Sequence, residues 1–218
     1  MAKKAIIAGA SGLTGSCLLD ILLHQPAYDE VLVLVRKDLP VKHSKLTQMV
    51  VDFDKLDDFS VRITGDVLFC CLGSTKKKTP DLKDYRKVDH DYPFHLAQIA
   101  LKNGISQFHS VSAIGASIKA SNFYTKMKGE AENDIINVGL HSLHIYQPSF
   151  IAGERKENRP LEKFFIGLMK VIDPILIGKL KKYRSIAAKT IASAMYKQSL
   201  KNKTRVHIYS SDKIKELS

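Results

Sequence analysis

The chain lacks a cysteine framework. Its 218 residues include three cysteines, Cys17, Cys70 and Cys71. An odd count without regular spacing excludes the paired pattern of a disulfide-stapled domain. Cys70 and Cys71 are neighbours in an expected strand, so their side chains leave on opposite faces and cannot easily grip one metal ion. They read as small buried apolar groups. Long apolar runs are missing as well, and no stretch suffices to span a bilayer. Gly9, Gly12 and Gly15 break up the apolar segment from Ala5 to Leu23. That segment reads as strand, loop and helix rather than a leader peptide, and the expectation is a cytosolic-type protein.

Acidic residues are also in deficit, 22 against 34 lysines and arginines, for a net charge of +12. Such an excess admits an anionic partner. Only seven of the cations are arginine, the residue suited to base readout and bidentate phosphate clamping. Specific nucleic-acid binding is therefore not expected, and most of the lysines read as solvated surface. Hydrophobic residues at 44% and charged residues at 26% fit a globular chain with a sizeable core.

What is present is an alternation. Lys4–Ala8, Val31–Val35, Met49–Phe53, Val67–Leu72, Gln107–Ala113 and Leu143–Pro148 read as strands. Leu13–Leu23, Asp81 to about Asn103, and Asn122–Val138 read as helices between them, with a break expected at Pro93 and stops at Gly104 and Gly139. The pattern predicts an α/β chain with a Rossmann-type, doubly wound parallel sheet. A single domain is expected over residues 1–218. Its core runs to residue 150, and a small, mostly helical extension from 151 to 218 closes a pocket. In that extension Gly153–Pro160 reads as loop, Leu161–Ile177 and Ser185–Leu200 as helices, and Arg205–Tyr209 as a late strand. The apolar face of 161–177, followed by Lys179, Lys181 and Lys182, suits a core helix with a solvated end. A membrane-surface or oligomer contact is the alternative.

Gly9-Ala-Ser-Gly12-Leu-Thr-Gly15 lies between the first strand and the first helix. Glycines in that position allow a tight turn, approach of backbone amides to a pyrophosphate, and close helix–strand packing. The helix N-terminus adds partial positive charge. The second strand ends in Val35-Arg36-Lys37. An acidic residue there would accept hydrogen bonds from an adenine ribose; Arg36 instead suits a 2′-phosphate, and Lys37 adds charge. NADP(H) is thus the expected cofactor and NAD(H) the alternative. Asp52, with Phe53 beside it, follows the third strand and is placed to meet the adenine. Cys71, Leu72, Gly73 and Ser74 follow the fourth strand and belong beside the nicotinamide ribose.

Tyr124 and Lys128 are four residues apart in a predicted helix and share a face. A neighbouring ammonium lowers a phenol's pKa. Such a phenol can exchange a proton with a substrate oxygen while hydride moves at the nicotinamide. Ser112, at the end of the fifth strand, is placed to hydrogen-bond the same oxygen. The competing reading is a surface tyrosine beside a solvated lysine.

These features resemble the atypical short-chain dehydrogenase/reductase superfamily. More narrowly, Val51-Asp-Phe-Asp-Lys-Leu56, Cys70-Cys-Leu-Gly-Ser-Thr75, Val88-Asp-His-Asp-Tyr92, Ser121-Asn-Phe-Tyr124 and Lys128-Gly-Glu130 resemble the Tat-interacting-protein-like oxidoreductases. The resemblance runs over most of the chain, including Arg159-Pro160 and Lys163-Phe-Phe165. It implies bound NADPH held by Gly9, Ser11, Gly12, Leu13, Thr14, Arg36 and the Leu72–Ser74 loop. It also implies a Ser112, Tyr124, Lys128 triad, with Lys128 anchoring the ribose. Two positions depart from broader superfamily patterns. Asp89 stands where extended members often carry asparagine, and Gln147 precedes Pro148 where many relatives have arginine. The leading expectation is an NADPH-dependent reductase of a small carbonyl compound. A cofactor-binding regulator with protein partners and a nucleotide-sugar epimerase are the other two readings.

Overall fold

The computed structural model describes residues 3–152, 173–201 and 203–218. The first strand, β1 (Lys4–Ala8), is followed by α1 (Leu13–His24), β2 (Glu30–Val35) and β3 (Leu46–Val50). A 3₁₀ segment, Phe53–Arg62, leads to β4 (Val67–Cys70). Next come α2 (Leu82–Arg86), a π-helical segment (Lys87–Asp91), α3 (Tyr92–Lys102), β5 (Gln107–Val111), α4 (Phe123–Asn137) and β6 (Ser142–Gln147). Two short strands, β7 (Ile151–Ala152) and β8 (Ile186–Ala187), pair apart from the main sheet. The described part of the chain closes with α5 (Ala188–Ser199), β9 (Arg205–Ser210) and α6 (Ser211–Leu217).

The main sheet has the order β3-β2-β1-β4-β5-β6-β9, and every adjacent pair is parallel. All its strands therefore end on one edge. The winding reverses between β1 and β4, which puts a crevice outside their C-terminal ends. The central strands alternate between two apolar layers. Ile7, Val33 and Phe69 pack under α1 and α5, with Leu18, Leu22, Ile191 and Met195. Ile6, Leu34, Leu68 and Phe108 pack under α3 and α4, with Leu96, Ala100 and Ile135. Burial on both faces explains why these strands are continuous apolar runs.

Several expected boundaries move. The third strand is Leu46–Val50 rather than Met49–Phe53. Asp52 caps the 3₁₀ segment instead, accepting from the Asp54 amide at 3.0 Å. The fourth and fifth strands end earlier than expected, before their functional loops. The helix expected over 81–103 is three pieces. Pro93 sits in the first turn of α3. Its ring would clash with the carbonyl four residues back, and it donates no hydrogen bond there. The preceding turn widens accordingly, with the Tyr92 amide bonding to Lys87 O, five residues back. The expected helix Ser185–Leu200 begins at Ala188, after β8. The expected loop 153–160 and residues 161–172 of the expected helix lie outside the described residues. The extension adds β9 to the sheet and α5 to the layer over α1. No described helix is long and apolar enough to cross a membrane.

Candidate active site

The glycine loop closes the turn from β1 into α1 through a hydrogen bond from the Gly12 amide to Gly9 O at 3.0 Å. Gly9 has φ +89°, which side chains rarely adopt, and a Cβ there would lie 2.6 Å from the Cys71 carbonyl. Gly9 therefore lets the end of β1 pass the end of β4. A Cβ on Gly15 would sit 2.2 Å from Gly9 O, so that glycine seats α1 against the loop. Gly12 caps α1 with no side-chain bond to the first-turn amides. The amide groups and the positive end of the helix dipole are left for an anion. Ser11 and Gly12 are exposed, Leu13 is half-buried, and Thr14 and Gly15 are buried. The loop allows close backbone approach and presents a helix N-terminus of the kind that suits a phosphate or other anion.

Arg36 and Lys37 follow β2 on the same edge, both exposed. Neither makes an ion pair among the described residues, so their charge is available. Asp52 is exposed beyond β3, but Phe53 points into the core and packs against Tyr92, ring centroids 5.5 Å apart. The Phe53 ring is thus no surface for an adenine; only its backbone reaches the edge. Cys71 and Leu72 are half-buried and pack against opposite apolar layers. Gly73 is exposed, and the Ser74 amide donates to Asp89 Oδ2 at 2.7 Å.

The other side of the crevice carries the three residues expected to do chemistry. Ser112 follows β5 and is buried. Asn122 caps α4 and accepts from the Tyr124 amide at 2.9 Å, which places Tyr124 in the first turn. Tyr124 stacks on Tyr85, planes 10° apart. One turn on, Lys128 is buried and its Nζ lies 2.9 Å from Asp89 Oδ1. The β5–α4 loop crosses α4 at Gly129, where a Cβ would lie 2.2 Å from the Ser117 backbone. The π-helical segment delivers Asp89 inward. Its His90 meets Asp134 of α4 at 3.0 Å, and Arg86 at the end of α2 donates to Glu130 of α4 at 2.6 Å.

The electrostatics differ from the simple tyrosine–lysine expectation. Burial works most strongly against the Lys128 charge, but the Asp89 carboxylate and its hydrogen bond, with Tyr124 and Cys70 adding to them, together outweigh it and hold the ammonium above its ordinary range. Burial raises the Tyr124 phenol; Lys128 pulls it down and Asp89 pushes it back up, so the balance is a raised value. Burial, with Asp89 adding to it, offsets the charge that was expected to acidify the phenol. A phenol in this state stays protonated at neutral pH and is a proton donor.

Three further residues belong to this region. Asp89 was visible in the sequence only as a departure from a pattern. Gln147 was another, and its amide donates to both oxygens of the Glu132 carboxylate, at 3.0 and 2.9 Å. Glu132 itself was not singled out. Its one signal was position, four residues after Lys128 on the same helix face.

A seven-stranded parallel sheet with a glycine loop at its switch point defines a Rossmann-type protein of the short-chain dehydrogenase/reductase kind. No family model matches the chain. Among curated proteins, it is 35% identical over 171 residues to protein HTATIP2 of Rattus norvegicus, covering 75% of this chain and 70% of that one. It is 31% identical over 195 residues to the mitochondrial protein FMP52 of Candida albicans, covering 81% and 85%. The chain belongs to this HTATIP2/FMP52 family of NAD(P)-binding, short-chain-dehydrogenase-like proteins.

Solved structures agree on the fold. The Bordetella bronchiseptica enzyme WbmH, in complex with NAD+, superposes with TM-score 0.72 at 18% identity, covering 99% of this chain and 79% of that one. A UDP-N-acetylglucosamine 4-epimerase from Methanobrevibacter ruminantium gives 0.71 at 17%, covering 96% and 76%. The relatives correct one expectation. The FMP52 proteins of several fungi are mitochondrial by name, which overturns the cytosolic reading.

Proposed function

We propose that this chain is an NADP(H)-dependent oxidoreductase that reduces a small carbonyl compound. The observation behind it is the placement of Ser112, Tyr124 and Lys128 across the crevice from the glycine cradle, at one edge of the sheet. In this reading the pyrophosphate lies on the α1 N-terminus and Arg36 takes the 2′-phosphate, with Lys37 adding charge. Asp52 stands at the adenine end, and the Cys71–Ser74 loop flanks the nicotinamide ribose. A nicotinamide held there supplies hydride. Tyr124 donates the proton to the reacting oxygen, and its raised pKa suits a donor that must be protonated at rest. Lys128, fixed by Asp89, holds the ribose and faces the phenol. Ser112 has a buried hydroxyl with no hydrogen-bond partner among the described residues, which fits a group available to a substrate oxygen.

The test is turnover of NADPH with a panel of aldehydes and ketones, wild type beside Tyr124→Phe. Oxidation of NADPH by wild type and a loss on the order of 10²–10⁴-fold in the variant support the reading. NADPH binding without turnover across the panel would instead support a regulator that uses the nucleotide as a ligand. The epimerase reading draws on the fold neighbours, whose complexes hold NAD and nucleotide sugars. It requires a preference for NAD(H) and indifference to Arg36.

A further inference from the structure

Beside Ser112 lies a small void of about 10 Å³ whose polar lining is Asp89, Ser110, Ser112, Lys128 and Glu132. Each of these five side chains is buried. Glu132 comes from α4, Ser110 and Ser112 from β5 and its end, and Asp89 from the π-helical segment. Gln147 of β6 donates to both carboxylate oxygens of Glu132. Lys128 is held by Asp89, and Glu132 makes no ion pair among the described residues. The Ser112 hydroxyl lies beside this carboxylate with no hydrogen bond of normal geometry to any described group.

We propose that Glu132 is a positioning residue that sets which way Ser112 presents its hydroxyl to the reacting oxygen. This deepens the oxidoreductase reading and rests on it. The logic is hydrogen-bond inventory. An ionised carboxylate only accepts, whereas a protonated one also donates. With Glu132 ionised, Ser112 turns its proton toward the carboxylate across the void. Only its lone pairs then face the crevice, and these can receive a hydrogen bond from an alcohol but cannot give one to a carbonyl. With Glu132 protonated, Ser112 accepts from the carboxyl and its own proton is released toward a carbonyl oxygen. The same side chain thus favours the ketone or aldehyde in one state and the alcohol in the other.

The groups facing Glu132 are Lys128 on its own helix, Asp89 on the π-helical segment, Ser110 and Ser112 on the β5 side, and Gln147 on β6. Burial raises the carboxyl, while Ser112, Gln147 and Lys128 act to lower it. The net upward shift brings its titration closer to neutral pH.

The coupling is testable without turnover. Infrared difference spectroscopy of the intact protein follows the carboxyl stretch of Glu132 through a pH titration, assigned by its loss in Glu132→Gln. Removing a donor to the ionised form should raise the midpoint, so Ser112→Ala is expected to shift it upward by on the order of one pH unit. An unchanged midpoint would overturn the proposal whether or not a substrate is ever found. NADPH affinity and melting temperature of both variants report whether the fold is intact. Once a carbonyl substrate is in hand, wild-type kcat for reduction should fall as pH rises through the Glu132 midpoint, and kcat for alcohol oxidation should rise. Glu132→Gln should flatten both limbs with little change in KM for NADPH. Limbs that persist in Glu132→Gln would contradict the role even where the infrared coupling holds. Absence of any turnover, with the infrared shift present, would count against the oxidoreductase reading and leave the Glu132–Ser112 coupling standing.

Discussion

Asp89 Oδ1 lies 2.9 Å from Lys128 Nζ, and both side chains are almost wholly buried. The other oxygen of Asp89 accepts the Ser74 amide, so one carboxylate joins the loop after β4 to the helix of Tyr124. Removing one member of a buried ion pair leaves the other charge stranded. Asp89→Asn is therefore expected to cost roughly 3–5 kcal/mol in denaturant unfolding. It should also lower the Tyr124 pKa, because Asp89 raises it and Lys128 lowers it. An ultraviolet tyrosinate titration, with Tyr124→Phe as the reference, reads that shift. An upward shift or none would show that Asp89 is not what offsets Lys128.

Gly15 should resist substitution more than its place at the start of a helix suggests. Its added Cβ would meet the Gly9 carbonyl at 2.2 Å, backbone that has no rotamer with which to yield. Gly15→Ala is expected to cost about 1–3 kcal/mol through overpacking. It should also weaken dinucleotide binding, because the cradle itself must move. Gly139→Ala is a comparison whose Cβ meets nothing within 4 Å, although its φ of +80° carries strain of its own. It should lower stability without altering nucleotide affinity.

A histidine–tyrosine ladder crosses β5, β6 and β9 and gives the fold an acid limit. His109 and His144 stack with centroids 4.3 Å apart, and both are fully buried. His109 meets the Tyr146 hydroxyl at 3.1 Å, and His144 meets that of Tyr209 at 3.0 Å. Burial, together with the neighbouring imidazole, holds His109 well below its ordinary value. Burial, then His207 and Lys203, lowers His144 to about 3. The unfolded chain takes up these protons near pH 6.5, whereas the folded chain does not. Stability should therefore be complete above about pH 6.5 and fall as pH drops, by up to about 1.4 kcal/mol per pH unit for each group. Urea unfolding at pH 7, 6 and 5 measures this, and His144→Gln should shallow the slope. A pH-independent unfolding energy in that range would refute it.

Much of the sheet could be read from the sequence because its central strands are buried on both faces and so appear as unbroken apolar runs. The glycine loop was legible because only glycine fits Gly9 and Gly15. At Asp52 capping moved a boundary, because it starts a 3₁₀ turn instead of ending a strand. The π-helical segment left no trace, since apolar spacing reads almost identically through a single widened turn. That turn aims Asp89 at Lys128, so the carboxylate that works against Lys128 at the Tyr124 phenol was hidden with it. Glu132 was concealed differently: within Lys128-Gly-Glu-Ala-Glu-Asn-Asp134 it looks like one more solvated charge, and only β6 packing shows that it is buried against Gln147.

Nucleotide binding tests the central reading most directly. NADPH and NADH are titrated against wild type and Arg36→Ala, with binding followed by the change in nucleotide fluorescence. Wild type should prefer NADPH. Arg36→Ala should lose that preference by weakening NADPH alone, because Arg36 stands exposed at the end of β2 and makes no ion pair among the described residues. Failure of the wild type to bind either nucleotide would contradict the dinucleotide site, and an NADPH preference that survives in Arg36→Ala would contradict the role given to Arg36.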